Sequence, residues 1–150
     1  MESHGLRSAA PILLAGMVVL VGARATASET RLDFMFDLGR ALKEVAEGVP
    51  GGSFPNDGGP LVVRASRLAE MSRRLTSFFP AGAAERAGSR ASPDIWNSWP
   101  AFTIAAEELV GAADQAVDAA NAGNAEALRK AIVAAGYSCS ACHLRFRVER

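Results

Sequence analysis

Cysteine and histidine are scarce in this chain: 150 residues carry two of each, Cys139, Cys142, His4 and His143. A structural zinc site needs four ligands, usually from a second Cys or His pair, and beyond Cys139, Cys142 and the adjoining His143 only His4 remains, so that reading does not fit. Lysine is nearly as rare, represented only by Lys43 and Lys130. A lysine ring for docking partners is therefore absent, and only arginines are left to form a smaller basic patch. Formal charge is balanced at 16 basic and 16 acidic residues with no basic block, which leaves nucleic-acid binding unsupported. No segment reads convincingly as strand. No nucleophile–base pair, acidic dyad or phosphate-binding glycine loop can be assembled around so few candidates, and no enzymatic turnover is expected.

The first residues are expected to form an export signal. Arg7 precedes an apolar run from Ala9 to Val21, and the small residues Ala23-Arg24-Ala25-Thr26-Ala27 offer A-x-A cleavage sites, with cleavage favoured after Ala27. The run is shorter than the ~20 residues a spanning helix needs and is interrupted by Pro11 and Gly16, so residues 1–27 are expected to be a cleaved signal peptide and not an anchor. Residues 28–150 then make one slightly acidic domain with a single core. Cleavage removes His4, Met1 and Met17, leaving His143, Met35 and Met71 as the histidine and methionines of the mature chain.

Four stretches carry helix-period apolar spacing, separated by glycine- and proline-rich segments. The first, about Thr30 to Glu47, places Met35, Leu38, Leu42 and Val45 on one stripe and ends at Gly48 and Pro50. The second starts near Pro60, buries Leu61, Ala65, Leu68, Leu75 and Phe78, and stops at Pro80. A long connection from Ala81 to Ser98 shows no helical face before Trp96 and Trp99. The third opens around Pro100 with Phe102, Ala105, Leu109, Ala113, Ala116 and Ala120 inward. Asn121-Ala122-Gly123-Asn124 supplies a glycine stop and an asparagine cap, a tight turn between antiparallel helices. On the fourth helix Leu128, Ile132, Ala135, Cys139, Cys142, His143 and Phe146 recur at helical intervals.

Cys139-Ser140-Ala141-Cys142-His143 is the C-x-x-C-H pattern of covalent c-type haem attachment and contains both cysteines. Each thiol can add across one porphyrin vinyl group, and the adjoining histidine becomes an axial ligand of the iron. A thioredoxin-like dithiol would instead open a helix in a strand-rich setting, whereas this motif closes a helical pattern. Haem c is the expected cofactor, inside the bundle, where inward alanines leave it volume.

The C-terminal Cys139-Ser140-Ala141-Cys142-His143-Leu144-Arg145-Phe146-Arg147 resembles the ending of the class II c-type cytochromes, the cytochrome c′ family. Arg31-Leu32-Asp33-Phe34-Met35, Phe79-Pro80-Ala81-Gly82 and Pro93-Asp94-Ile95-Trp96 match in the same order. Ser140, where lysine is common, and Leu32, where a polar residue often follows the arginine, depart from the pattern. The resemblance implies an all-α, antiparallel up-down-up-down four-helix bundle with haem near the C-terminal helix. It also implies Arg31 and Arg90 near the haem propionates, Arg147 beside the axial histidine, and dimers through the first two helices. Met35 would look toward the distal face of the haem, where it either binds iron or packs over an open coordination site; Met71 reads as core. Two functions stay open. One is electron transfer in the periplasm with protein redox partners; the other is binding of nitric oxide or carbon monoxide at an open distal site.

Overall fold

The computed structural model describes residues 27–49, 59–81 and 90–148. The expected leader, apart from Ala27, lies outside them, as do most of the glycine-rich loop after Pro50 and residues 82–89 of the long connection. Helix α1 spans Ala27–Gly48 and α2 Gly59–Arg74, extended by a 3-10 turn over Leu75–Phe78; α3 is a single turn, Asp94–Asn97, and α4 and α5 span Trp99–Asn121 and Ala125–Phe146. The four long helices form the antiparallel bundle. Among the described residues there is no strand beyond one isolated bridge, and no helix is long and apolar enough to cross a membrane.

Around the bundle the helices follow the order α1, α2, α4, α5, and its four sides are unequal. The α4–α5 side is the most extensive and the α1–α5 side the thinnest. The first inequality follows from side-chain size: Ala106, Ala113, Ala116 and Ala120 of α4 and Ala131 and Ala135 of α5 are all buried, and alanine lets helix axes approach closely. The α4–α5 turn holds that pairing. Gly123 takes φ +64°, a conformation that costs glycine nothing, and Asn124 Oδ1 accepts a hydrogen bond from Ala127 N at 2.9 Å.

At one end of the core an aromatic cluster replaces the alanines. Phe102 sits centrally, 4.8 Å from Phe79, 5.3 Å from Trp99 and 5.4 Å edge-on from Phe146, ring centre to ring centre. Leucines complete the interior: Leu38, Leu61, Leu68, Leu109 and Leu128 are buried.

Several expected core positions shift by one residue. Phe34 and Ala41 are buried on α1, while Met35 and Leu42 are only half-buried, as are Ala105 on α4 and Phe78 after α2. On α5, Leu128, Ala135 and Phe146 are buried, Ile132, Cys139 and Cys142 are half-buried, and His143 is exposed. An apolar stripe is wider than the face that reaches the bundle axis, so its flanking members fall at the sides. The connection before α4 also contains a helical turn, α3, with Ile95 buried beneath it.

Leu128 is fully buried and Leu144 is 88% exposed. Leu128→Ala is therefore expected to cost about 2–5 kcal/mol in urea unfolding, and Leu144→Ala within about 0.5 kcal/mol of nothing. Asn124→Ala should cost about 1 kcal/mol by loss of the cap.

Candidate functional site

The sides of α1 and α5 that face one another are identified by what occupies their opposite sides. Asp33, Asp37 and Phe34 of α1 line a cleft shared with Arg67, Met71 and Arg74 of α2, and Glu44 pairs with Arg67 at 3.7 Å. At 100° per residue, Leu32, Met35, Gly39 and Leu42 then occupy the flank turned toward α5. On α5, Cys142 lies beside Glu108 of α4, which puts Ile132, Gly136, Cys139 and His143 on the flank turned toward α1.

Gly39 and Gly136, like Gly111 in the middle of α4, border open space. A Cβ added at Gly39 or at Gly136 would meet nothing within 4 Å. Glycine inside a helix costs about 1 kcal/mol relative to alanine, so a pair of them on the two flanks of the thinnest side is unfavourable unless something approaches the backbone there. The lining is apolar: Leu32 and Phe36 are each 71% exposed, and Met35 and Leu42 are partly covered by the core.

The donor set is built by one helix. Cys139 and His143 stand one turn apart, Cys142 is offset by one position, and both thiols are free. Burial raises the Cys139 pKa, and burial together with Cys139 and Glu108 pushes Cys142 up to about 11. The His143 imidazole is held below its usual range by partial burial and by the cations of Arg147 and Arg90, so it is neutral near pH 7 with a lone pair available to a metal. Among the described residues no cluster of three His, Cys, Asp or Glu side chains could hold an ion by itself. Two thiols, one imidazole, a flat apolar seam and two backbone stretches without Cβ suit a planar metal-bearing ring attached at one edge, and these residues fit haem c.

The arginines are placed unequally. Arg31 is 6% exposed at the start of α1. Its Nε donates to the Phe78 carbonyl at 3.0 Å, and its guanidinium lies 4.7 Å from the Phe79 ring centre and 5.6 Å from that of Trp96. Trp96 Nε1 in turn donates to the Pro80 carbonyl at 3.0 Å. This arginine thus ties α1 to the corner after α2. Arg90 and Arg147 instead come together near His143, because residues 90–92 run antiparallel to 146–148: Ser92 N donates to Phe146 O at 2.9 Å, Val148 N to Arg90 O at 2.8 Å, and Ala91 pairs with Arg147.

Sequence reasoning, through the resemblance, implies Arg90 near the propionates; the backbone pairing brings it beside the end of α5 that carries His143. It did not find Gly39 or Gly136, although glycines inside two otherwise strongly helix-forming segments were a legible signal.

Residues 26–147 match the sequence profile of the family described as Cytochrome C′. A cytochrome c′ of Rhodospirillum rubrum is 32% identical over 85 residues, 57% of this chain and 58% of that protein. One from Pararhodospirillum photometricum is 32% identical over 83 residues, 55% of this chain and 66% of the relative. The matched stretches thus span about three-fifths of these relatives' lengths. Among solved structures, cytochrome c′ from Rubrivivax gelatinosus superposes with TM-score 0.71 at 23% identity, covering 81% of this chain and 94% of that one. A ferrous variant from Alcaligenes xylosoxidans with bound nitric oxide superposes with TM-score 0.72 at 23% identity, covering 83% and 94%. Cytochromes c′ carry haem c with its iron, and the two cysteines that such attachment requires are present here. With the four-helix bundle, the C-terminal attachment motif and a profile match over most of its length, the chain belongs to the cytochrome c′ family.

Proposed function

We propose that this chain is an exported electron carrier of the periplasm, with haem c joined by thioethers to Cys139 and Cys142 and with His143 as axial ligand. The observation that carries the reading is the one stretch of α5 that sets Cys139 and His143 toward the thin, apolar α1 side and Cys142 one position round toward α4. Bound haem supplies a one-electron Fe(III)/Fe(II) couple and, where its sixth position is open, a site for a diatomic gas. The chain's own part is to fix the ring between α1 and α5, to exclude water with Leu32, Met35 and Leu42, and to set the potential through burial and the Arg90 and Arg147 cations. The leader at residues 1–27 supports export, because thioether attachment in bacteria follows it.

A second reading, binding of nitric oxide or carbon monoxide, is favoured by the α1 flank itself. Met35 is only half-buried among apolar neighbours, an arrangement that can pack over an open iron position and filter ligands by size. Structural neighbours include cytochromes c′ with bound nitric oxide. Absorption spectra of the exported, matured protein separate the two: electron transfer with Met35 ligation predicts a six-coordinate low-spin spectrum with a methionine-to-iron charge-transfer band that Met35→Leu abolishes. A high-spin spectrum that shifts on adding carbon monoxide favours the gas-binding reading. Colourless material with two titratable thiols removes both.

A dimer is also proposed, through the α1–α2 face. Its cleft of about 450 Å³ has Phe34, Met71 and Phe78 in its lining beside the charged Asp37, Arg67 and Arg74, a mixture suited to a self-complementary contact. A structural neighbour is a cytochrome c′ with ligand-controlled dimer dissociation. Met71→Glu is expected to shift sedimentation toward monomer without altering the haem spectrum.

The raised thiol pKa values bear on attachment. Thiolate is the reactive form, and moving Cys142 from its ordinary 9.0 to about 11 lowers the thiolate fraction roughly 100-fold near neutral pH. Attachment is therefore favoured before the apoprotein bundle closes. Iodoacetamide at pH 8 should modify Cys142 about 100-fold more slowly in folded apoprotein than in urea. Because the folded value is the higher one, apoprotein stability should be intact below pH 9 and fall as pH rises through about 11.

A further inference from the structure

We propose that Arg90 is a positioning residue for His143: the Arg90–Ser92 segment is a strap, hydrogen-bonded to Phe146–Val148, that holds the last turn of α5 and with it the imidazole that takes the axial position. The inference rests on the haem c reading of His143 but is independent of whether the protein carries electrons or binds a gas.

A helix C-terminus ordinarily frays, since its last carbonyls lack partners and its last turn opens at little cost. His143 stands only three residues before the end of α5 at Phe146, so the axial ligand sits in the part of the helix least able to hold itself. This chain closes that end from outside the helix. Ser92 N donates to the Phe146 carbonyl at 2.9 Å, which satisfies one of those carbonyls, and Arg147 N donates to the His143 carbonyl at 3.1 Å, continuing the ladder one step past the helix. Val148 is then gripped twice by one residue. Its N–H donates to the Arg90 carbonyl at 2.8 Å, and its carbonyl accepts from Arg90 Nε at 3.2 Å.

The strap is anchored at its other end. Ser92 is buried, its Oγ accepts from Asp94 N at 3.2 Å, and it leads directly into α3, whose Ile95 is 1% exposed. On the α5 side Phe146 is 4% exposed and packs edge-on against Phe102 at the centre of the aromatic cluster. Both partners are thus fixed by the core, so the hydrogen bonds between them restrain the turn between His143 and Val148 and do not merely decorate a loose terminus. Arg90 contributes the side-chain bond that a residue without a donor at that position could not.

The test uses haem-loaded protein and two independent ways of opening the strap, Arg90→Ala and deletion of Val148–Arg150. Amide exchange at Arg147 is expected to rise about tenfold in both, the scale of losing one or two net hydrogen bonds at a helix end. The iron–histidine stretching frequency of the ferrous protein should fall in both, and the reduction potential should shift with it. Faster exchange with unchanged frequency and potential overturns the proposal, because the strap would then tidy the terminus without positioning the ligand. Unchanged exchange overturns it as well. Loss of the haem spectrum in the parent protein would instead remove the reading of His143 on which it rests, and the parent's spectrum reports that separately.

Discussion

The close alanine contact between α4 and α5 is the constraint from which the rest of the structure follows. Once Ala131 and Ala135 of α5 are buried along with Ala113 and Ala116 of α4, the rotation of α5 about its axis is fixed. The next turns of the same helix must then present Cys139 and His143 toward α1 and Cys142 toward the α4 side. Apart from the proposed strap on its last turn, no separate element orients the Cys139, Cys142 and His143 side chains. Their geometry is inherited from core packing, which is rigid because interiors are close-packed and a rotated helix would open voids along its whole length.

The same constraint explains the unequal sides. Small residues draw α4 and α5 together, and α1 then reaches α5 only sparsely. The open space beside Gly39 and Gly136 is therefore the complement of the tight side and not a packing fault. A bundle left this way buries less apolar surface than its composition permits, with Leu32 and Phe36 standing largely in water. A bound planar ring offsets that deficit, which couples folding to cofactor in the sense familiar from other metalloproteins.

Charge is handled differently at the two ends of the site. Arg31 is taken into the core, where the Phe78 carbonyl and the faces of Phe79 and Trp96 replace its hydration. Arg90 and Arg147 stay near the surface, brought together by backbone pairing between segments more than fifty residues apart. Surface ion pairs such as Arg40–Asp37 and Lys130–Glu126 lie elsewhere, are at least 43% exposed, and contribute little.

The helices, the turn at Gly123-Asn124 and the attachment motif of the cytochrome c′ family were legible in the residues themselves, because each depends on neighbours within a few positions: a cap, a stop, a 3.6-residue stripe, a C-x-x-C-H spacing. Only the tertiary structure decided that Phe34, and not Met35, belongs to the core, that Arg31 is buried, and that Arg90 meets the end of α5. A stripe specifies a face but not which neighbour that face meets, and a pairing across a long connection depends on where the packed helices carry its two ends.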